Sequence, residues 1–293
     1  MQPLVNILIA YPYFSDKVKT ILEKATGKYH LIVDSGAFSA WNSGKEIKLD
    51  EYCKFLDTLP KTMSYKAVQL DVIGDGEKSY TNLMKMREDG YDPIPVFTRG
   101  ESLERLDELY SLTDYVMLGG VAKGGTNKNY VKWFLENNKN RKAHLLGFTR
   151  IPFILKYKPY SVDSSSWASA VRYGSMSVYV GSGKMKRYKK QDFIEHPSQE
   201  RLQTLYSMGF TFDEVARLRT KEAWINRASY SKNTVSAFSQ FVTLVACVMQ
   251  AIWVERTCGT KIYFAVSDHN QAEGLIEAHD FVLSNIYQQR IFS

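Results

Sequence analysis

Short runs of apolar and β-branched residues recur along the chain, each followed by a stretch with helical periodicity. Because these runs are apolar at consecutive positions, they are typical of strands buried on both faces, as in a parallel sheet covered by helices. The pattern therefore predicts an α/β fold of the (β/α)8 barrel type, with a doubly wound open sheet as the alternative. The eight predicted strands are 6–11, 30–34, 67–71, 93–97, 115–120, 143–147, 160–164 and 262–267.

The segments between the predicted strands are amphipathic. Residues 101–112, ESLERLDELYSL, place leucines on one side of a helix and charged residues on the other. Asp50 precedes EYCKFLDTL and is predicted to cap that helix, which ends at Pro60.

The interval between the last two predicted strands breaks this alternation. It opens with a basic segment and continues as helical pattern to about residue 254. We predict a single domain spanning residues 1–293, in which 177–256 form a basic, helical insertion. Within it, FVTLVACVMQAIWV at 241–254 is too short to span a bilayer and is predicted to be a buried helix.

The net charge and the cysteine content indicate which partners and which cellular compartment to expect. The net charge of +7 favours a polyanionic partner. The three cysteines lie far apart without CxxC spacing, so we expect no disulfide framework, no structural zinc and a cytoplasmic location. The start, MQPLVNILIAYPYF, lacks a basic region and is interpreted as a first strand. Together with the short apolar stretch at 241–254, this start leads us to expect no membrane partner.

Carboxylates stand at the ends of three predicted strands. These are Asp34, Asp71 and Asp163, and the pair Gly119-Gly120 ends another strand. In a (β/α)8 barrel such ends form the active face. A single aspartate there could be a cap or a turn residue, but three with a glycine pair indicate a functional site. His144, within an apolar strand, is interpreted as a hydrogen-bonded core residue rather than a ligand.

These residue types suit the recognition and chemistry of a nucleobase. A carboxylate accepts hydrogen bonds from paired N–H donors such as those of guanine, and backbone N–H groups beside glycines can donate to its carbonyl. Another carboxylate can attack the sugar C1′ and form a covalent intermediate, while a further one moves the proton.

Three segments resemble motifs of the tRNA-guanine transglycosylase superfamily. VDSGAFS at 33–39 resembles its DSG-G-F/Y motif, and VMLGGVAKGG at 116–125 resembles its G-G-L-A-x-G-E loop. HLLGFTRIPFILKYKPYSVDSSSW at 144–167 resembles the segment that carries the family nucleophile. The segments occur in the family's order, and the resemblance covers roughly residues 30–170. It implies a (β/α)8 barrel.

The resemblance also implies roles for individual residues. Asp163 matches the nucleophile, and Asp34 matches a general acid/base. The residues implied in base binding are Asp71, Gly119, Gly120, Val121 and Ser35.

The chain is most similar to the DNA branch of that superfamily. The tRNA enzymes carry a CxCxxC…H zinc site after the nucleophile, and this chain has none. The 7-deazaguanine DNA transglycosylases exchange guanine in DNA for a 7-deazaguanine. The resemblance implies DNA, double- or single-stranded, and a 7-deazaguanine base as partners, with no cofactor. A tRNA-modifying enzyme and a non-catalytic nucleic-acid-binding subunit remain alternatives, and the oligomeric state stays open.

A basic segment, GKMKRYKKQ at 183–191, is predicted to contact nucleic acid, with a solvated loop as the alternative. Tyr188 within it is expected to stack on a base. Trp41 and Trp167, just past two strands, could stack on a base or pack in the core. The residues predicted to meet phosphates are Lys184, Lys186, Arg187, Lys189 and Lys190.

Overall fold

The computed structural model describes residues 3–121, 127–167, 174–195, 197–225, 231–233 and 237–286. The chain divides into two compact units. We call Asn6–Ser164 with Cys258–Ser267 the sheet unit. The helical unit comprises Met1–Val5, Ser165–Thr257 and Asp268–Ser293. The predicted insertion 177–256 thus falls in the helical unit. That the whole chain forms one domain stays a prediction.

Ten strands occur in the described residues. They are β1 (Val5–Ala10), β2 (Tyr29–Asp34), β3 (Tyr65–Ala67), β4 (Val96–Phe97), β5 (Tyr115–Leu118), β6 (Lys142–Leu145), β7 (Ser161–Ser164), β8 (Ser175–Tyr179), β9 (Met185–Lys189) and β10 (Lys261–Val266). Eight of them form one curled parallel sheet in the order β3-β2-β1-β10-β7-β6-β5-β4. All eight predicted strands correspond to strands of this sheet, although β3 and β4 are shorter than predicted.

The described helices are α1 (Asp16–Lys24), α2 (Ala37–Asn42), α3 (Leu49–Asp57), α4 (Gly76–Glu88), α5 (Leu103–Leu112), α6 (Lys128–Asn137), α7 (Ile151–Tyr157), α8 (Gln191–Ile194), α9 (Gln199–Ser207), α10 (Phe212–Arg217), α11 (Phe238–Cys258) and α12 (His269–Asn285). Side-chain caps begin several of them, such as Asp75 on α4 and Ser102 on α5. The predicted cap of α3 is wrong. Lys48 is its N-cap, and Asp50 lies in the first turn, where a carboxylate favours the helix dipole.

The two edge strands of the curled sheet are linked just beyond their ends. Val68 follows β3, Ile94 precedes β4, and the two residues form an isolated parallel bridge. Ile94 N donates to Ala67 O at 2.8 Å, and Gln69 N donates to Ile94 O at 3.0 Å. Two backbone hydrogen bonds therefore join the chain beside these two edges.

One cluster of the sheet unit's core is formed by side chains drawn from strands across the sheet. Because these residues pack together while their strands extend around the curl, they share its concave face. The cluster consists of Leu8, Ile32, Val68, Ile94, Val96, Met117 and Tyr263.

The helical unit contains an antiparallel hairpin of β8 and β9 and the long apolar helix α11. By length and composition, α11 is the one helix among the described residues that could cross a membrane, and 78% of its most apolar window is buried inside the protein. The helix has 21 residues and so extends beyond the predicted stretch 241–254. The length argument against a membrane span therefore does not hold for α11, whereas the predicted burial is observed.

Candidate active site

Strand alternation places the predicted catalytic carboxylates on the concave face of the sheet. Asp163 in β7 is in register with Tyr263 of the core cluster. Asp34 ends β2 two residues after Ile32, which also belongs to that cluster. Residues two apart on a strand, and residues paired in register, face the same side. Asp71 follows β3, so all three carboxylates lie at the edge where the strands' carboxyl ends meet. We call Asp34, Asp71 and Asp163 the aspartate site.

Asp163 is held through a single oxygen. The side chain is buried, and Oδ1 lies 3.0 Å from His144 Nε2 and accepts from Gly147 N at 2.8 Å. Within the described residues Oδ2 forms no hydrogen bond. One oxygen is thus fixed in place, and the other is left for chemistry.

His144 connects Asp163 to two hydroxyl groups beneath it. It is fully buried, and its Nδ1 lies 2.8 Å from Ser161 Oγ. Tyr115 OH lies 2.6 Å from the same Oγ and 3.3 Å from Nδ1. The sequence prediction of a hydrogen-bonded core residue is confirmed, but the contact with the predicted nucleophile was missed. The contact follows from the strand pairing, which places His144 in register with Ser161 and is not visible in the sequence.

Ser161, His144 and Asp163 have the order of contacts found in a nucleophilic serine triad. Ser161 is fully buried and is bonded on its other side by Tyr115. A serine nucleophile must meet its substrate, so this arrangement cannot perform acyl transfer. The three residues are better described as a chain of hydrogen bonds that ends on Asp163.

Asp34 can exchange a proton near neutral pH. Burial raises the pKa of its carboxyl to about 6, and the negative charge of Asp163 contributes in the same direction. The Gly36 N–H donates to Oδ2 at 3.0 Å and opposes the rise. A carboxyl poised in this way can act as either acid or base.

Asp71 is coupled to Asp34 and to Ser35. Burial and, to a smaller extent, the charge of Asp34 together raise its pKa to about 7. The Ser35 hydroxyl donates to Oδ1 at 3.4 Å and favours the ionised form. Ser35 itself is fully buried and also accepts from Ala37 N at 3.3 Å. The predicted direct contact between Ser35 and a base is therefore not supported. Its hydroxyl instead supports Asp71.

The glycine pair is required by close packing. A Cβ on Gly119 would lie 2.8 Å from Val96 Cγ1, and one on Gly120 would lie 3.0 Å from Arg99 Cβ at a φ of +70°. Gly119 N donates to Phe97 O at 3.0 Å. The sequence predicted that this N–H would contact a base carbonyl. It is not free to do so, because it is already bonded to Phe97 O.

Val121 and Gly120 differ in what they can offer a base. The Val121 side chain is buried, and its carbonyl accepts from Asn127 N at 3.3 Å. Gly120 is exposed. Of the predicted glycine-loop contacts, the Gly120 backbone is the best placed to reach a base. The rest of the resembling loop, residues 122–126, lies outside the described residues.

Exposed aromatic rings follow Asp34 directly. Phe38 and Trp41 are 43% and 47% exposed on α2, and their rings stack at 6.2 Å between centroids. Trp167 is 8% exposed, which fits packing rather than stacking on a base. Phe38 was not singled out by the sequence, although it stands within the DSG segment.

The predicted phosphate-binding segment forms strand β9 and its flanks. Lys184, Arg187 and Lys189 are exposed and form no ion pair within the described residues. Lys186 pairs with Glu200 at 2.9 Å, and Lys190, partly buried, donates its backbone N–H to Gly174 O. The predicted stacking by Tyr188 is wrong, because its ring is only 3% exposed.

A cavity of about 640 Å³ lies between the loops that follow β3 and β4. It contains none of the three aspartates, and its Arg105 is already paired with Glu77 and Glu108 at 2.7 Å. We therefore define the candidate site by its carboxylates rather than by this cavity.

No group of His, Cys, Asp and Glu residues within the described part of the chain is arranged to hold a metal ion. The three cysteines are free thiols. Comparison of the chain with protein-family models, with curated proteins and with solved structures finds no match to any of them.

Proposed function

We propose that this protein exchanges a base in DNA, replacing guanine by a 7-deazaguanine through a covalent intermediate on Asp163. The observation that carries the proposal is the electrostatic coupling of Asp34 to Asp163, together with an Oδ2 on Asp163 that has no hydrogen-bond partner among the described residues. A base exchange needs one carboxylate to attack and a second group to carry a proton. The aspartate site offers both.

We further propose that the curled sheet closes into a (β/α)8 barrel. The Val68–Ile94 bridge and its backbone hydrogen bonds between the two edge strands support closure. The core cluster whose side chains come from strands around the curl supports it as well. In a closed barrel the aspartate site would form one rim.

The first step uses Asp163 as nucleophile and Asp34 as acid. Asp163 Oδ2 attacks C1′, the C1′–N9 bond breaks, and the departing guanine takes the proton of Asp34. A group with a pKa of about 6 suits this task, since it holds a proton in an appreciable fraction of molecules at neutral pH. Once Asp163 becomes an ester its negative charge is gone, which favours the ionised form of Asp34.

The second step reverses these roles. The incoming 7-deazaguanine gives its N9 proton to ionised Asp34, N9 attacks C1′, and the bond from C1′ to Oδ2 breaks. Asp163 returns as a carboxylate and Asp34 regains its proton. Two inversions at C1′ restore the original configuration.

Base recognition would fall to Asp71 and the Gly120 backbone. The ionised Asp71 accepts from the paired N–H donors of the guanine edge. The target base must leave its stack to reach the site, at a cost of a few kcal/mol. The exposed pair Phe38 and Trp41 could stack on the extruded base or on its neighbour.

DNA is proposed as the polymer on two grounds. The first is the resemblance to the DNA branch, and the second is the exposed cationic face of the β9 hairpin. The cationic face alone would suit any nucleic acid, so the test must compare DNA with tRNA.

The test is incorporation of a labelled 7-deazaguanine base, followed by mass spectrometry of nucleosides from DNA and from tRNA. We expect the label in DNA, and we expect a denaturation-resistant protein–DNA adduct during turnover. Asp163→Asn should keep the fold and abolish both, because an amide is a poor nucleophile. Asp50→Asn, an exposed carboxylate on α3, is the matched control and should be unaffected. Label found only in tRNA would reject DNA as the substrate, and DNA binding without incorporation would indicate a non-catalytic subunit.

A further inference from the structure

A chain of four side chains runs through the core of the sheet unit to Asp163. It consists of Tyr115, Ser161, His144 and Asp163, with contacts of 2.6, 2.8 and 3.0 Å in that order. Ser161 and His144 are fully buried. Base exchange as described above does not require this chain, so its role needs a separate explanation.

The chemistry of the partners gives the direction of the hydrogen bond to Asp163, and the tautomer of His144 decides the direction of the others. An ionised carboxylate only accepts, so His144 Nε2 carries a proton and donates to Asp163 Oδ1. Two hydroxyl groups, those of Ser161 and Tyr115, approach Nδ1. Ser161 can donate to Nδ1 while accepting from Tyr115 only when Nδ1 carries no proton. The neutral tautomer with its proton on Nε2 satisfies all three contacts in these directions, and it is the state that the proposal assigns to His144.

Gly147 adds a second donor to the same carboxylate oxygen. Its N–H reaches Oδ1 at 2.8 Å, beside the bond from His144. Both donors thus point at Oδ1, while Oδ2 would carry the sugar. In the ester, Oδ1 is the carbonyl oxygen.

We propose, on the basis of the proposed base exchange, that His144 is a positioning residue that makes Asp163 a competent leaving group. In the second step the electron pair of the C1′–Oδ2 bond returns to the carboxylate. The negative charge spreads onto Oδ1, where the N–H groups of His144 and Gly147 stabilise it. No proton leaves His144, and the proton of the incoming base goes to Asp34. Ser161 and Tyr115 act only by fixing the tautomer.

The same donors affect the two steps in opposite senses. Stabilising the carboxylate makes it a better leaving group but a weaker nucleophile. Removing the His144 donor should therefore slow breakdown of the covalent intermediate more than its formation. A role limited to holding Asp163 in place gives the opposite result, because a misplaced nucleophile forms less intermediate.

The test compares His144→Phe with His144→Gln. Phe keeps a ring but has no donor, whereas the amide of Gln can place an N–H near the position of Nε2. Ser161 and Tyr115 remain bonded to each other in both variants, and thermal unfolding checks that the fold is retained. We expect turnover to fall by about 10²–10³-fold in His144→Phe, the usual effect of losing one donor to a developing charge. We expect His144→Gln to recover much of that loss.

The decisive readout is the fraction of protein trapped as protein–DNA adduct during turnover. It should rise in His144→Phe relative to wild type, while turnover falls. An adduct fraction that is unchanged, or that falls in step with turnover, would overturn the role of His144 and leave the base exchange standing. A wild-type protein that never forms an adduct would overturn the base exchange and this role with it.

The tautomer of His144 can be measured in the resting protein, without any reaction taking place. The ¹⁵N shifts of His144 in wild-type protein without DNA should show a protonated Nε2 and an unprotonated Nδ1, and Ser161→Ala should weaken that preference. A proton on Nδ1 in the wild type would overturn the assigned tautomer and the hydrogen-bond directions that depend on it, whatever the protein's activity.

Discussion

The Ser35 hydroxyl donates to Asp71 Oδ1 across 3.4 Å and so connects the loop after β2 to the carboxylate that follows β3. Ser35 stands next to Asp34 in the chain, and the charge of Asp34 raises the pKa of Asp71. Asp34, the proposed acid, and Asp71, the proposed base-binding residue, are therefore coupled electrostatically and through the hydrogen bond of Ser35. Their coupling makes pH the first variable to test.

Base binding should strengthen as pH rises. The pKa of Asp71 is raised to about 7, and only the ionised form accepts both N–H donors of a guanine-like base. Below that pKa the apparent Kd for free 7-deazaguanine should increase by about tenfold per pH unit, and above it the Kd should level off. Calorimetry between about pH 5.5 and 8.5 measures this dependence.

Two variants test whether Asp71 causes that dependence. Asp71→Asn should bind weakly with little change over the same range. Ser35→Ala should shift the inflection to higher pH, since the Ser35 hydroxyl lowers the pKa of Asp71. A Kd independent of pH in the wild type would show that Asp71 does not read the base.

The exchange rate should have a narrow optimum. Exchange needs Asp34 protonated and Asp71 ionised, and their pKa values are raised to about 6 and about 7. Asp34, which must be protonated, has the lower pKa of the two. At any pH, therefore, only a small fraction of molecules combines protonated Asp34 with ionised Asp71. Because the two carboxyls interact, the acidic and alkaline sides of the pH–rate profile give apparent pKa values of the pair rather than of either residue alone. We expect kcat/KM to peak between about pH 6 and 7 and to fall about tenfold per unit on both sides. A rate that still rises beyond pH 8 would contradict Asp34 as the acid.

The sequence could locate the strands because their apolar character is local information. Runs such as NILIAY and HLIVD are apolar on both faces, and they became β1 and β2. Where strands end is not local. AVQLD at 67–71 continues beyond β3, whose pairing depends on β2. The β8–β9 hairpin was not predicted, because β9 is rich in lysine and arginine and lacks the apolar run that marks the other strands. The turn glycines Gly181 and Gly183, both at positive φ, were its local signal.

The aspartate site could be predicted in part for the same reason. A carboxylate that ends an apolar run is visible in the sequence, as Asp34 is. The contact of His144 with Asp163 depends on the register of β6 against β7, which no local pattern reveals. The raised pKa of Asp71 depends on burial and on a charge carried by another strand. Sequence reasoning could therefore propose the residues but not the hydrogen bonds that set their properties.

Asp34 should lower the stability of the folded protein at neutral and alkaline pH. Its pKa is raised from 3.8 to about 6, so the native state keeps a proton that the unfolded chain releases within that window. Stability is then lost as pH rises through the window, and the loss is complete above it. Asp34→Asn keeps an oxygen for the Gly36 N–H and removes the charge.

The free energy of unfolding of Asp34→Asn should exceed that of wild type by about 1–3 kcal/mol near pH 8, allowing for partial exposure of the carboxyl. Little difference is expected near pH 4, where the folded carboxyl is already neutral. Urea unfolding at both pH values, with Asp50→Asn for comparison, measures the effect. Equal stabilities near pH 8 would show that Asp34 is not buried as a charge.

DNA binding should depend on the exposed cations of the β9 hairpin. Lys184, Arg187 and Lys189 are exposed without ion pairs among the described residues, whereas Lys186 is paired with Glu200. Each phosphate contact contributes about 0.9 to the slope of log K against log salt for duplex DNA, because binding releases condensed counterions. Replacing the three unpaired cations with alanine should weaken binding and reduce the slope by up to about 2.7.

Lys186→Ala is the matched control. It should change the slope less, since its ammonium already has a partner. Fluorescence anisotropy over a salt series measures the slope for each protein. Equal slopes for the triple variant and wild type would show that the hairpin does not contact the DNA phosphates.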